Sequence, residues 1–461
     1  MKMRTLFLAG TIALVAGCSG SDDDVRCSLR NPATLNADDP GQWPKFRRDA
    51  QNTGTIVLAA AAYDSLASSD PKPAPLTFPA AGDEPKGPFV ASPVINATQT
   101  RTYIASSDGV LYGLELDSLE RVSVDPQETP GDLADNVPFQ IVASPLPMVS
   151  SPIAATRDHD RDQTTAVTDA VFVGGGDGIV YGVQEDALPQ SQVWPRPLDT
   201  FIVASATLGI DGTVYTNTLG SGFAGICPNG APRFLLATGA SESSPAVGRD
   251  ADEELDGTLY FGSDDRRVHA VSRDGNRLWT AVVSAPVLTA PVVDLDDSGT
   301  ATTGIYVLDA AGALVKLDRF GTRLREFDFD APEVTDVVVS SPALARDRIY
   351  AAFDDRLVAI AAEEDGGGEV LWELPAGGRI QSSPAVALRS GDDSAPAVIV
   401  FAADDGNLYF VRDDGASATV LNTVAVREEN AAATSLRSSP AIAADGTVVI
   451  GSEDGRVYAV R

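Results

Sequence analysis

The chain has 461 residues with 34 Lys and Arg against 65 Asp and Glu, a net charge of −31 and a pI near 4.3. A nucleic-acid footprint needs the opposite sign, so that class of partner is excluded. A hydrophobic content of 44% is ordinary for a globular chain, and three cysteines cannot form a disulfide framework.

Residues 1–17 read as a signal peptide. Lys2 and Arg4 precede an apolar run, Leu6 to Ala16, that is too short to span a membrane as a mature helix. The run ends in Leu14-Val15-Ala16-Gly17-Cys18, which resembles a bacterial lipobox, and this implies lipidation of Cys18. Residues 18–40 form the anchor and a polar tether, beginning Ser-Gly-Ser-Asp-Asp-Asp after the cysteine. An exported protein meets oxidising conditions, so Cys27 and Cys227 are either a disulfide or two separate thiols; sequence leaves both open.

Residues 41–87 are an N-terminal arm. Trp43, Pro44 and Phe46 are apolar anchors, Asn52-Thr53-Gly54 is a turn, and Ile56 to Ala62 reads as one helical turn or a loop. Leu76-Thr77-Phe78, flanked by Pro75 and Pro79, reads as a short edge strand.

From Pro88 to Arg461 one unit repeats eight times, at about 47 residues per copy, the period of a four-stranded propeller blade. The copies align on a Ser-Pro corner: Ser92-Pro93, Ser151-Pro152, Ser244-Pro245, Ala290-Pro291, Ser341-Pro342, Ser383-Pro384 and Ser439-Pro440, with a degraded copy at Ser205-Ala206. Each corner leads through two strands, joined by a hairpin such as Glu453-Asp454-Gly455, to a tyrosine-bearing third strand. A fourth strand carries a large residue at Phe234, Trp279 or Trp372, but the last copy stops at Arg461 with three strands. An unpaired edge is a liability. Leu76–Phe78 is therefore expected to supply the missing strand. The fold class is all-β: an eight-bladed propeller of four-stranded antiparallel blades, closed by an N-terminal strand.

Three acidic loops between first and second strands alternate oxygens as a hard cation requires. They are Asp158, Asp160 and Asp162; Asp250 and Asp252; and Asp294, Asp296 and Ser298. They are candidate calcium ligands, the plainer alternative being solvated acidic hairpins. His269 occupies the slot that Tyr112, Tyr181, Tyr409 and Tyr458 fill elsewhere and reads as a packing ring. His159 lies in an acidic loop. A Ser/His/Asp constellation therefore lacks a base. Trp194, Trp279 and Trp372 recur at one repeat position, which marks inter-blade packing.

The lead-in WPKFRRDAQNTG, the Ser-Ser-Pro corners, the GSEDGRVYAV strand and the post-strand tryptophans resemble the pyrroloquinoline-quinone-type (PQQ-like) β-propeller family over Trp43 to Arg461. Within it the chain is most similar to BamB-type bacterial lipoproteins. That resemblance implies a cofactor-free, non-enzymatic scaffold binding envelope proteins of the β-barrel assembly machinery. It also implies a monomer lipid-anchored to the outer membrane on its periplasmic or surface face. Quinoprotein dehydrogenases share the repeat, which makes a PQQ-dependent oxidoreductase or quinone binder the alternative. Those alcohol oxidisers place a vicinal cysteine pair against the quinone, and no Cys-Cys occurs here. A calcium-stabilised cell-surface binding module is the third reading.

Overall fold

A computed structural model describes residues 49, 51–80, 83–84, 86–121, 123–124, 137–138, 140–157, 168–184, 194–198, 200–209, 212–220, 222–227, 230–250, 252, 256–296, 298–327, 337–362, 368–428 and 431–461. Eight antiparallel sheets follow one another along the chain, as the repeat predicts. Their first strands run Val94–Ile95, Ile153–Arg157, Thr207–Leu208, Ala246–Val247, Val292–Leu295, Ala343–Ala345, Ala385–Arg389 and Ala441–Ile442. We number the blades 1 to 8 in that order.

The inner strands begin with small or β-branched residues because they converge on the axis, where bulk does not fit. The second and third strands are buried nearly throughout: Val398–Ala402 and Val448–Gly451 have no exposed position. The core therefore lies between blades rather than in one centre, with Phe223 of blade 3 stacked on Phe261 of blade 4 at 4.4 Å between centroids. Outer strands alternate, as in Arg277–Val282, and several are kinked by a bulge such as that opposite Ala270/Val271.

The expected closure is present. Leu76–Phe78 pairs antiparallel with Val457–Val460, matching Leu76 to Ala459 and Phe78 to Val457, and completes blade 8. Arg456, only 5% exposed, secures it by donating to the carbonyls of Pro79 (2.8 Å) and Asp83 (2.7 Å).

One feature differs from the sequence reading. The stretch Ile56 to Ala62, expected as one helical turn or a loop, lies in a strand, Thr55–Leu58, and is helical only from Ala60, in a helix Ala60–Leu66. The strand pairs in parallel with the innermost strand of blade 7, Thr55 against Val386 to Leu58 against Arg389, so blade 7 has five strands. Upstream, Gln51 O accepts from Val293 N (2.9 Å), Thr53 O from Leu344 N (2.9 Å) and Gly54 O from Val386 N (2.8 Å). Residues 51–58 thus lie across the inner strands of blades 4 to 7 and fill that side of the axis with the chain's own backbone.

Candidate functional site

The Ser-Pro corners build a ring around the axis. Seven of the eight corner amides donate to the corner hydroxyl of the next blade: Ser92 N to Ser151 Oγ, Ser151 to Ser205, Ser205 to Ser244, Ala290 to Ser341, Ser341 to Ser383, Ser383 to Ser439 and Ser439 to Ser92. All seven distances lie between 2.8 and 3.0 Å. The degraded corner has lost its proline but kept the hydroxyl of Ser205, which is the part the ring uses. The joint from blade 4 to blade 5 has no such bond, because Ala290 has no hydroxyl. There the fully buried Asn52 donates its amide Nδ2 to Pro291 O at 3.1 Å and to Ser244 O at 3.4 Å. Asn52 sits at φ 58°, a left-handed conformation that asparagine tolerates. Asp49 holds the turn by accepting from the amide of Thr53 at 2.8 Å.

The acidic loops can be placed only in part, since Asp158, Asp160, Asp162 and His159 fall outside the described residues. Asp250 is buried against Arg319, Oδ2 to Nη1 at 2.6 Å, and its Oδ1 accepts from the amide of Asp252 at 3.0 Å. Asp296 accepts from the amides of Thr300 (2.7 Å) and Ala301 (3.1 Å) and from the hydroxyl of Ser298 (2.8 Å). Those backbone donors hold its carboxyl below the usual carboxylate range. Burial pushes Asp294 upward, offset by nearby Lys316. Asp296 thus shapes its own hairpin while Asp250 reaches across to blade 5, and among the described residues no three His, Cys, Asp or Glu side chains converge as a metal site.

His269 lies where the tyrosines lie. Tyr112 and Tyr409 donate to Asp108 and Asp405 at 2.7 and 2.6 Å. His269 instead stacks on Phe261 (5.1 Å), with Nε2 3.8 Å from Asp265 and neither ring nitrogen hydrogen-bonded. Burial lowers its pKa, opposed by the charge of Asp265. Such a ring is packing rather than a base.

Trp279 and Trp372 pack between blades as expected. Trp279 lies on Tyr260 and donates to Arg319 O at 2.8 Å. Trp372 leads to a group the sequence did not single out. Asp413, 3% exposed at its side chain, accepts from Trp372 Nε1 (3.0 Å), Tyr350 OH (2.6 Å), Arg348 Nη1 (2.7 Å) and Gly415 N (2.8 Å). It joins blade 6 to blade 7 beneath a polar cleft of about 520 Å³ lined by Arg346, Asp347, Asp393 and Asp414. Cys227 is buried at 1% exposure and disulfide-bonded, while Cys18 and Cys27 lie outside the described residues. The tryptophan side chain at 194 does too. No helix among the described residues is long and apolar enough to cross a membrane.

Repeat, corner and closure together define an eight-bladed β-propeller. Residues 246–461, which are blades 4 to 8, match the family described as Outer membrane protein assembly factor BamB. Among solved structures, the chain is similar to BamB from Moraxella catarrhalis, with 16% identity and a TM-score of 0.53 over 80% of this chain and 94% of that one. It is also similar to a europium-containing methanol dehydrogenase, with 12% identity and a TM-score of 0.61 over 92% and 98%. At these identities the likeness is one of fold. No curated protein matches the sequence.

Proposed function

We infer that this propeller is a non-enzymatic envelope lipoprotein that binds other proteins, acting as a scaffold in outer-membrane β-barrel assembly. The match of residues 246–461 to the assembly-factor family carries the reading. The geometry supports it. A closed ring holds its hairpins rigidly, and rigid display of loops is what a docking scaffold needs. Signal peptide 1–17, acylated Cys18 and tether 18–40 complete the reading by holding the ring at the outer membrane. The test is a cross-linked pull-down of the acylated protein from its native envelope. Recovery of barrel-assembly subunits is expected; a catch without them overturns the assembly role.

A second reading, a PQQ-dependent oxidoreductase, is favoured by the likeness to the methanol dehydrogenase. The residues present do not fit that group. Cysteines 27 and 227 are not adjacent in sequence, and backbone 51–58 lies against the inner strands of blades 4 to 7. Dye-linked alcohol oxidation after incubation with the quinone would overturn the scaffold reading; its absence is expected.

A further inference from the structure

The outer rim of blades 3, 4 and 5 differs from the rest of the surface. Its outer strands are Pro232–Leu236, Arg277–Val282 and Arg323–Phe327. Three of their residues, and Phe320 in the turn before the last of them, stand well out in solvent: Val282 is 64% exposed, Phe320 59%, Leu235 55% and Leu324 50%. In the rim stretches 232–236, 272–282 and 318–327 there are six arginines (233, 273, 277, 319, 323, 325) and three acids (274, 318, 326), a net +3. The whole chain is 34 − 65 = −31. Arg233 and Arg323 pair with Asp274 and Glu326 inside these stretches and Arg319 with Asp250 outside them, so with Asp250 counted the edge keeps +2 (3 − 1) on a molecule that is otherwise strongly acidic.

The arrangement follows from the repeat. Arg277 and Arg323 occupy equivalent first positions of outer strands. Each donates to the carbonyl at the end of the preceding blade's outer edge, Arg277 to Ala237 O and Arg323 to Val282 O, both at 2.8 Å. Those bonds draw neighbouring rims together and set Val282 beside the start of the next outer strand. At the hairpin of blade 5 the Arg319 guanidinium lies 4.8 Å from the Phe320 ring and pairs with buried Asp250. Phe320 is left at the tip. The outer strand of blade 7, Ala418–Ala425, carries no charge at all, so this pattern does not come from the fold itself.

We propose that this rim is a membrane-contact surface that lies on an anionic lipid bilayer, with Leu235, Val282, Phe320 and Leu324 entering the headgroup layer and the arginines meeting lipid phosphates. An anionic headgroup layer complements an edge on which excess positive charge stands among exposed apolar side chains. Arginine interleaved with exposed apolar side chains is the composition that holds a protein in the plane of an anionic interface. The remaining charge of the molecule repels such a surface, and this fixes which edge faces it. The inference is independent of the scaffold reading.

The experiment uses the mature full chain with Cys18→Ser, so that no acyl group contributes, and flotation with phosphatidylglycerol-containing or pure phosphatidylcholine vesicles. Binding is expected to the anionic vesicles only, and to weaken at about 0.5 M salt, where the screening length is a few ångströms. A V282D/F320D/L324D variant is expected to bind about tenfold or more weakly. Val420→Asp, on the rim of blade 7, serves as control and should bind as the parent does. Unchanged melting of both variants shows that folding is intact; should the triple variant melt early, Phe320→Asp alone is read. Equal binding of variant and parent overturns the proposal. So does failure of the parent to float, or capture of an acidic protein by this rim in place of vesicles.

Discussion

The amide of Ser439 donates to Oγ of Ser92 at 2.9 Å, joining residues 347 apart in sequence and closing the corner ring. Because the bond is buried, loss of one hydroxyl leaves an amide without an acceptor, which costs about 1–3 kcal/mol. Ser383→Ala is expected to lower the unfolding free energy, read by urea titration, by that amount. Ala290→Ser places a hydroxyl at the only broken joint and is expected to raise it by about 1 kcal/mol. A neutral S383A would show that the ring is incidental.

Asp413 is the hub between blades 6 and 7. Removing its carboxylate strands a buried tyrosine hydroxyl and a buried indole N–H and deprives the partly exposed Arg348 of its main partner, a loss of about 3 kcal/mol. Asp413→Ala is therefore expected to destabilise far more than Asp414→Ala, whose partner Arg412 is close to solvent. Chemical denaturation of the two variants decides it, and equal midpoints would remove the hub from the account.

His269 makes stability depend on pH. Its folded pKa is depressed below 6.5, so the unfolded chain takes up the proton first. Stability is lost as pH falls through about 6.5 toward the lower folded value. His269→Tyr would supply the hydroxyl that reaches the equivalent aspartate elsewhere, adding about 1 kcal/mol and flattening the profile between pH 7 and about pH 5. Melting curves across that range test both parts.

The sequence offers Cys27 as the disulfide partner of Cys227 once Cys18 is acylated. Peptide mapping without reductant is expected to yield a 27–227 linked pair, and reduction to cost about 2–5 kcal/mol. Recovery of Cys27 as a free thiol contradicts this pairing.

Calcium is expected to leave the melting temperature unchanged, since Asp250 and Asp296 already hold an arginine and backbone amides. A rise of several degrees on adding calcium, reversed by chelator, would restore the calcium-stabilised reading through the loops at 158–162 or 294–298.

The blades and the closing strand could be read from sequence because the Ser-Pro corner is periodic and an unfinished last blade needs a partner. The axial strand could not. Thr-Ile-Val-Leu looks like any strand, and nothing local points to its parallel partner Ala385–Arg389. The ring was visible as a motif without its purpose; Ala290 was the sign that one joint is held differently. Asp413 was hidden because Asp-Asp-Gly has the signature of an exposed turn, while its three side-chain partners come from the neighbouring blade. The rim escaped notice because its apolar residues lie in three separate repeats, and only the Arg323 bond to Val282 O ties one outer strand to the next there.

Closure by both ends has a consequence for biogenesis. Thr55 bonds to Leu344, 289 residues further on, and Leu76–Phe78 pairs with the last four-residue strand. At about 5–20 residues per second, Thr55 waits roughly 15–60 s for Leu344. Until Val457 has emerged the molecule is an open bracelet, and a chain stalled short of that point cannot fasten its clasp.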